Sequence, residues 1–346
     1  MTILHQVRQG QVQVGQQPQD HQRAHDLVKR YGSDSLAYFN TRWDKNLFFQ
    51  NSKIFLAYRR TLDVALVSGD PVGPPELVAE IMGEFRRFCA QSGWRLACLA
   101  SKEDYVPLYR SAGLKAFFLG EEAVIRLDGF SLEGRRARGP RQAISKLQKM
   151  GATMEFMFNV GIPHHLRHDL ERVSRDWLGD YPETGFSMGL GRLFDPEDPD
   201  CLVCIAYDSH MQPMGFLNLV PMYPGLGYSL DVVRTARGSP NELLEFMVAR
   251  TAEFLKRRSY DYFSLHFCFF SQHYREDREE PGSPLARSFA RLLGCRLPIM
   301  SLYNFDKGFS PMWKKRYIIY GRQIDFLRIV LAAAITESAW RLRNKD

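Results

Sequence analysis

Asp231 and Arg234 stand three residues apart in GYSLDVVRTARGSPNELLEFM (227–247), a stretch that reads as a strand passing through a polar turn into a helix. A carboxylate and a guanidinium among apolar neighbours suit two roles. One is an ion pair at a strand end. The other is a reaction centre, where a strand delivers charged groups into a cleft. Residues i and i+3 of a flat strand face opposite sides of the sheet. The second role therefore requires a bulge or strand end that turns both side chains toward one cleft.

Other reactive residue types are patterned less tightly. Of six cysteines, only Cys201 and Cys204 form a CxxC. CLVCIAY (201–207) reads as strand, which would point the two thiols apart and argues against a metal or redox pair. Buried free thiols in a reducing compartment fit better. His164 and His168 would share a helix face beside His165, but no carboxylate or cysteine pattern completes a metal site there. SGDPVG (68–73) supplies a tight turn in which Asp70 caps backbone amides. Asp44 and Lys45 read as an ion pair of the fold, and Ser187 in GFSMG lines either a pocket or a turn. REDREEPG (275–282) reads as a solvated loop.

The elements that must position these residues follow a duplicated plan. The first copy reads as two strands (KIFLAYRRTLDVALVSGDPVG), a Pro-rich break, the amphipathic helix ELVAEIMGEFRRFCAQSG and the strand WRLACLAS. A short helix and a final strand pair follow in YVPLYRSAGLKAFFLGEEAVIRL. The second copy repeats the order with CLVCIAYDSHMQPMGFLNLVPMY, GYSLDVVR, the helix NELLEFMVARTAEFLKRRS and the strand YDYFSLHF. Strands, then a helix, then a strand beside them is the order expected of a GNAT-type acyltransferase fold. The expected division is a loose leader (1–22), an N-terminal GNAT-like domain (23–134), a basic linker helix (135–151), a C-terminal GNAT-like domain (152–320) and an amphipathic C-terminal helix (321–346).

Composition sets the surroundings. With 346 residues, 45% apolar and 25% charged, the chain is globular, and its formal charge of +7 favours polyanions such as RNA or an anionic membrane. The glutamine-rich opening lacks the apolar core of a secretory signal. The apolar run 329–335 is far shorter than the roughly 20 residues that span a bilayer. Between the copies, residues 135–149 carry six cations and no acid: Arg135, Arg136, Arg138, Arg141, Lys146 and Lys149. This segment reads either as a solvated linker or as a contact for RNA phosphates. In the C-terminal helix, Phe326, Leu327, Val330, Leu331, Ala334 and Ile335 gather toward one side, followed by Trp340, Arg341, Arg343 and Lys345. That helix suits a membrane interface or packing on the body.

Six stretches, in order, carry a family resemblance: DSLAYFNTRWDKNLFF (34–49), SGDPVG (68–73), GEEAVIRLDGFSLEG (120–134), DWLGDYPETGFSMG (176–189), YSLDVVR (228–234) and YNFDKGFSPMWKKRYIIY (303–320). Over about residues 26–320 the chain resembles the C-terminal catalytic domain of aminoacyl-phosphatidylglycerol synthases, the phosphatidylglycerol lysyltransferase or multiple peptide resistance family. The resemblance implies tandem GNAT-like domains in an α/β (α+β) fold joined by a basic helix. It implies transfer of an aminoacyl group from aminoacyl-tRNA to the hydroxyl of an anionic membrane lipid, without cofactor or metal, at the inner face of the cytoplasmic membrane. It places the family's essential acid and arginine on Asp231 and Arg234 and its C-terminal lysine on Lys307. Ser187 is then a substrate-binding candidate, as are Arg138, Arg141, Lys146 and Lys149 for the RNA. Such a transfer needs orientation, charge stabilisation and exclusion of water. Asp231 would position the α-ammonium or deprotonate the lipid hydroxyl, Arg234 would hold a phosphate or an oxyanion, and Lys307 would assist the leaving ribose oxygen. The competing class is an acyl-CoA-dependent GNAT enzyme, whose pyrophosphate loop has no match in SGDPVGPPE or RTARGSPNE.

Overall fold

Part of the stretch expected to trail as a loose leader supplies the first strand. The computed structural model describes residues 12–15, 17–179, 185–269 and 299–338. Within them each copy runs strand, helix, three strands, helix, strand, helix, strand. The first copy comprises β1 (Val12–Gly15), α1 (Pro18–Tyr31), β2 (Asn46–Gln50), β3 (Ile54–Thr61), β4 (Val64–Ser68), α2 (Val78–Gln91), β5 (Arg95–Lys102), α3 (Val106–Ser111) and β6 (Lys115–Arg126). Helix α4 (Arg138–Lys149) leads to the second: β7 (Thr153–Phe158), α5 (His164–Leu178), β8 (Leu202–Tyr207), β9 (Pro213–Met222), β10 (Gly227–Thr235), α6 (Leu243–Arg257), β11 (Tyr262–Phe269), α7 (Ile299–Lys307) and β12 (Met312–Tyr320). Helix α8 (Phe326–Ser338) follows. The fold is mixed α/β, two copies of one element order in tandem.

The twelve strands among the described residues join one sheet, in the order β1-β2-β3-β4-β5-β12-β6-β11-β10-β9-β8-β7. Two neighbouring pairs are parallel, β4 with β5 and β10 with β11, at matching places in the two copies. At the centre the copies exchange strands. β12, from the second copy, lies beside β5 of the first, and β6 of the first lies beside β11 of the second. β6 is one strand of 12 residues, where a strand pair was expected.

One side chain pins this crossing. Arg316 of β12 is 2% exposed and donates to Glu122 of β6, to Asp34 at 2.9 Å and to Ser35 Oγ at 2.8 Å. Glu122 also receives the hydroxyl of Ser264 on β11. Burial alone would lower the guanidinium, but Asp34 and Glu122 outweigh it and hold Arg316 above the ordinary range.

Helices cover both faces through stripes at helical spacing. Val78, Ile81, Met82, Phe85 and Cys89 form the buried stripe of α2. On the second half, α5 packs with Val203, Ile205 and Phe216 on one face, and α6 with Cys204, Leu217 and Leu219 on the other. Cys201 and Cys204 are buried in different clusters, as strand alternation requires. Helix α8 divides the residues expected along one side. Phe326, Ile329, Val330 and Ala333 pack inward, whereas Leu327 and Leu331 stay 70% and 45% exposed. Its expected cations at 341, 343 and 345, with Trp340, lie outside the described residues, as does the charged stretch 275–282.

Candidate active site

On β10 the expected irregularity falls at Asp231 itself. Leu230 pairs with Leu219 and Val232 with the adjacent Asn218, so Asp231 is the extra residue of a bulge. The bulge resets the alternation beyond it. Leu230 and Val233 pack on the α6 side and Val232 on the α5 side. Asp231 and Arg234 then make their contacts on the same α5 side. Asp231 accepts from Asn218 Nδ2 at 2.9 Å and from the Leu190 amide at 2.8 Å. Arg234 is 4% exposed, donates from Nε to Ser174 Oγ at 3.1 Å, and lies 4.5 Å from the ring centroid of Trp177. Both of those partners belong to α5.

The parallel register of β10 with β11 runs only from Gly227↔Tyr262 to Ser229↔Ser264. Both strands continue past it, so the pair opens at Ser229, and Asp231 and Arg234 stand beyond the opening. Around Asp231 the two copies meet. Leu190 closes the loop 185–190, in which Gly185 has a φ of +114° and an added Cβ would lie 2.8 Å from Met188 O. From the first copy, Arg42 donates to the carbonyls of Gly185 and Gly189 at 2.5 and 2.9 Å and pairs with Asp44 at 2.9 Å. Glu337 of α8 accepts the Phe186 amide at 2.7 Å and lies 3.2 Å from Ser187 Oγ. The loop thus ties Ser187 to the group around Asp231.

Two buried cations of the first copy adjoin this loop. Burial lowers the Arg42 guanidinium against the pull of Asp44. Lys45, 1% exposed, donates to Phe39 O and Ser68 Oγ at 2.8 Å each and lies 4.7 Å from the Phe186 ring. Burial, reinforced by Arg42, pushes its ammonium well below the ordinary lysine range. The expected Asp44–Lys45 pair is not formed, because Asp44 pairs with Arg42 and Arg59 instead.

Other candidates are distributed elsewhere. Lys307 is exposed at the end of α7, with Nζ 5.3 Å from the Tyr303 ring. That helix packs Phe305 into the α6-side cluster, the face opposite Asp231. Assistance by Lys307 at the same centre has no support in this placement. Helix α4 also lies against α6. Its Arg141 caps the carbonyls of Leu132 and Gly134, and Lys146 pairs with Glu242 at 2.7 Å. Arg138 and Lys149 are exposed. His164, His165 and His168 are exposed in the first turn and a half of α5. Among the described residues no His, Cys, Asp or Glu group is placed to hold a metal. The sequence reading missed Arg42, Asn218 and Glu337. Arg42 lay within a quoted motif, whereas nothing local marked Glu337.

The family model described as phosphatidylglycerol lysyltransferase, C-terminal, matches residues 25–320. The lysylphosphatidylglycerol biosynthesis bifunctional protein LysX of Rhodococcus jostii is 34% identical over 316 residues, covering 90% of this chain and 28% of its own length. LysX of Mycobacterium tuberculosis is 33% identical over 324 residues, covering 92% and 28%. The chain therefore spans little more than a quarter of these curated relatives. The structure of L-PGS from Bacillus licheniformis superposes with a TM-score of 0.82 at 19% identity, over 92% of this chain and 96% of that one. The C-terminal domain of a putative lysylphosphatidylglycerol synthetase from Agrobacterium fabrum gives 0.81 at 24%, over 93% and 98%. Those two likenesses carry the fold, and the extent of the family match carries the membership. The chain belongs to the phosphatidylglycerol lysyltransferase C-terminal family.

Proposed function

We propose that this chain is the catalytic part of an aminoacyltransferase that moves an aminoacyl group from aminoacyl-tRNA to a hydroxyl of phosphatidylglycerol, with lysine the first amino acid to test. The observation that carries the reading is the bulge at Asp231, which turns Asp231 and Arg234 to one face beyond the opening of β10 from β11. In the step proposed, the lipid oxygen attacks the ester carbonyl carbon, a new C–O bond forms, and the bond to the ribose oxygen breaks. Asp231 takes the lipid proton, which ends on the ribose oxygen. Arg234 stabilises the oxyanion or holds a phosphate. Ser187 and the loop 185–190 form the side of the site fixed by Arg42.

Two surfaces support contact with the large substrates. Arg135, Arg136, Arg138 and Lys149 of the basic segment are exposed and suit RNA phosphates, while Arg141 and Lys146 are engaged within the protein. Near α8, Ile324, Leu327 and Leu331 form an exposed apolar stripe beside Arg322 and Arg328, which suits an anionic bilayer surface. Among the described residues no helix is long and apolar enough to cross a membrane.

The acyl-CoA alternative lacks its cradle. Pro71, Pro74 and Pro75 offer no amide after β4, and the amides of Gly69 and Val72 are taken by Leu99 and Phe55. Before α6, a carboxylate, Glu242, occupies the helix start. The test is conversion of phosphatidylglycerol vesicles to aminoacyl lipid with charged tRNA. Ribonuclease should abolish product, and product formed from an acyl-CoA instead would reject the proposal.

A further inference from the structure

The duplication gives Asp231 a counterpart that lines a cavity. The last parallel pair of β4 with β5 is Ser68↔Leu99, and that of β10 with β11 is Ser229↔Ser264. Two residues past each serine stands an aspartate, Asp70 in one copy and Asp231 in the other. Asp70 is fixed by Tyr109 OH at 2.7 Å and by the Lys102 amide at 2.9 Å, which fulfils the capping role expected of it. Beside it lies a cavity of about 260 Å³ whose lining includes Arg30, Tyr31, Asp34, Asn40, Lys102 and Tyr105.

The lining has an unmet acceptor and both signs of charge. Asn40, in the cavity wall, is 1% exposed and its Oδ1 accepts no hydrogen bond within the protein. Asp34 and Asp70 add acceptors. Arg30 lies 5.2 Å from the Tyr31 ring and Lys102 4.1 Å from the Tyr105 ring. A simple anion would meet two carboxylates here, and a simple amine two cations. A molecule with an ammonium and an acidic group a few bonds apart satisfies both sets.

We propose that this cavity is a second ligand site, distinct from the Asp231 group, that takes a small zwitterion, with the ammonium on Asn40 Oδ1, Asp34 and Asp70 and the carboxylate or phosphate on Lys102 and Arg30. Free amino acids and aminoalkyl phosphate headgroups share this chemistry. The site stands whether or not the transfer reaction is confirmed. Calorimetric titration of the full chain with L-alanine and with O-phosphoethanolamine tests it, using ethanolamine and glycerol 1-phosphate as single-sign controls. At least one zwitterion should bind about tenfold or more tightly than either control. Alanine alone would identify an amino-acid site, and phosphoethanolamine alone a headgroup site. Asn40→Ala should weaken binding about tenfold. Because Asn40 is buried, Lys102→Met at a half-buried position is the second variant and should erase the preference over ethanolamine. Asp231→Asn should bind as the wild type does. Failure of both zwitterions to bind, equal binding of a control, or unchanged binding in both cavity variants would overturn the proposal.

Discussion

In the mechanism proposed, Asp231 carries weight for the chemistry, whereas Arg316 carries it for the fold. In that mechanism Asp231→Asn removes the base, while the new amide oxygen can still accept the Leu190 N–H once Asn218 turns its carboxamide to present Oδ1, so lipid aminoacylation should fall on the order of a hundredfold or more with little change in Tm. Product formation at the wild-type rate would remove Asp231 from the mechanism. Arg316→Met should instead destabilise by roughly 3–5 kcal/mol, because it strands the Glu122 carboxylate in the interior. Chemical denaturation of Arg316→Met and of Arg316→Met/Glu122→Gln measures this, and the double variant should recover part of the loss. Asp34 gives the pair a pH signature. Burial opposes its ionisation, but Arg316 outweighs burial and holds the carboxyl below its ordinary value. A carboxyl depressed in the folded state adds stability above its unfolded pKa of about 3.9, and that stability is lost as pH falls through the folded value. Asp34→Asn should therefore flatten the acid limb of a Tm-against-pH profile. Among single residues, the sequence made Asp231 and Arg234 legible because i, i+3 spacing on a strand poses a geometric problem that only a bulge or strand end solves. Arg42 and Glu337 were not legible, since they reach the same loop from positions almost 300 residues apart in the chain.

At the scale of elements, the opening of β10 from β11 depends on their close approach at its start. Gly227 has a φ of +148°, and an added Cβ would lie 1.8 Å from Tyr262 O. Gly227→Ala should cost about 3 kcal/mol by forcing the parallel strands apart. Gly225→Ala, where nothing stands within 4 Å of the new carbon, should cost only about 1–2 kcal/mol through its φ of +64°. Equal melting curves for the two variants would show that strand contact is not what Gly227 protects. Periodicity made most helices and strands readable, because stripes such as Val78–Ile81–Met82–Phe85–Cys89 have a single helical solution. It failed for β1, whose Val12 and Val14 are too short a signal among glutamines, and for β6, where a long central strand resembles two short ones. It also misassigned the outward face of α8, because a helix with apolar residues around most of its circumference does not declare which of them pack.

For the whole molecule, the copies are legible as repeats, yet the exchange of β6 and β12 is not, because the order of elements along the chain leaves open which neighbour each strand takes. The exchange has a measurable result. A fragment of residues 1–134 lacks β12, and a fragment of residues 135–346 lacks β6, so each alone should unfold without cooperativity. Produced together, the two should reassemble into one particle on size exclusion with restored thermal unfolding. A sharp transition in fragment 1–134 by itself would contradict this. The same crossing bears on synthesis at the ribosome. β5 is made early but must wait for β12, more than 200 residues later, so its open edge is bare during most of elongation and is exposed to pairing with other nascent chains. Slower translation should therefore lower the soluble yield of this protein, and chaperones that shield extended segments should raise it.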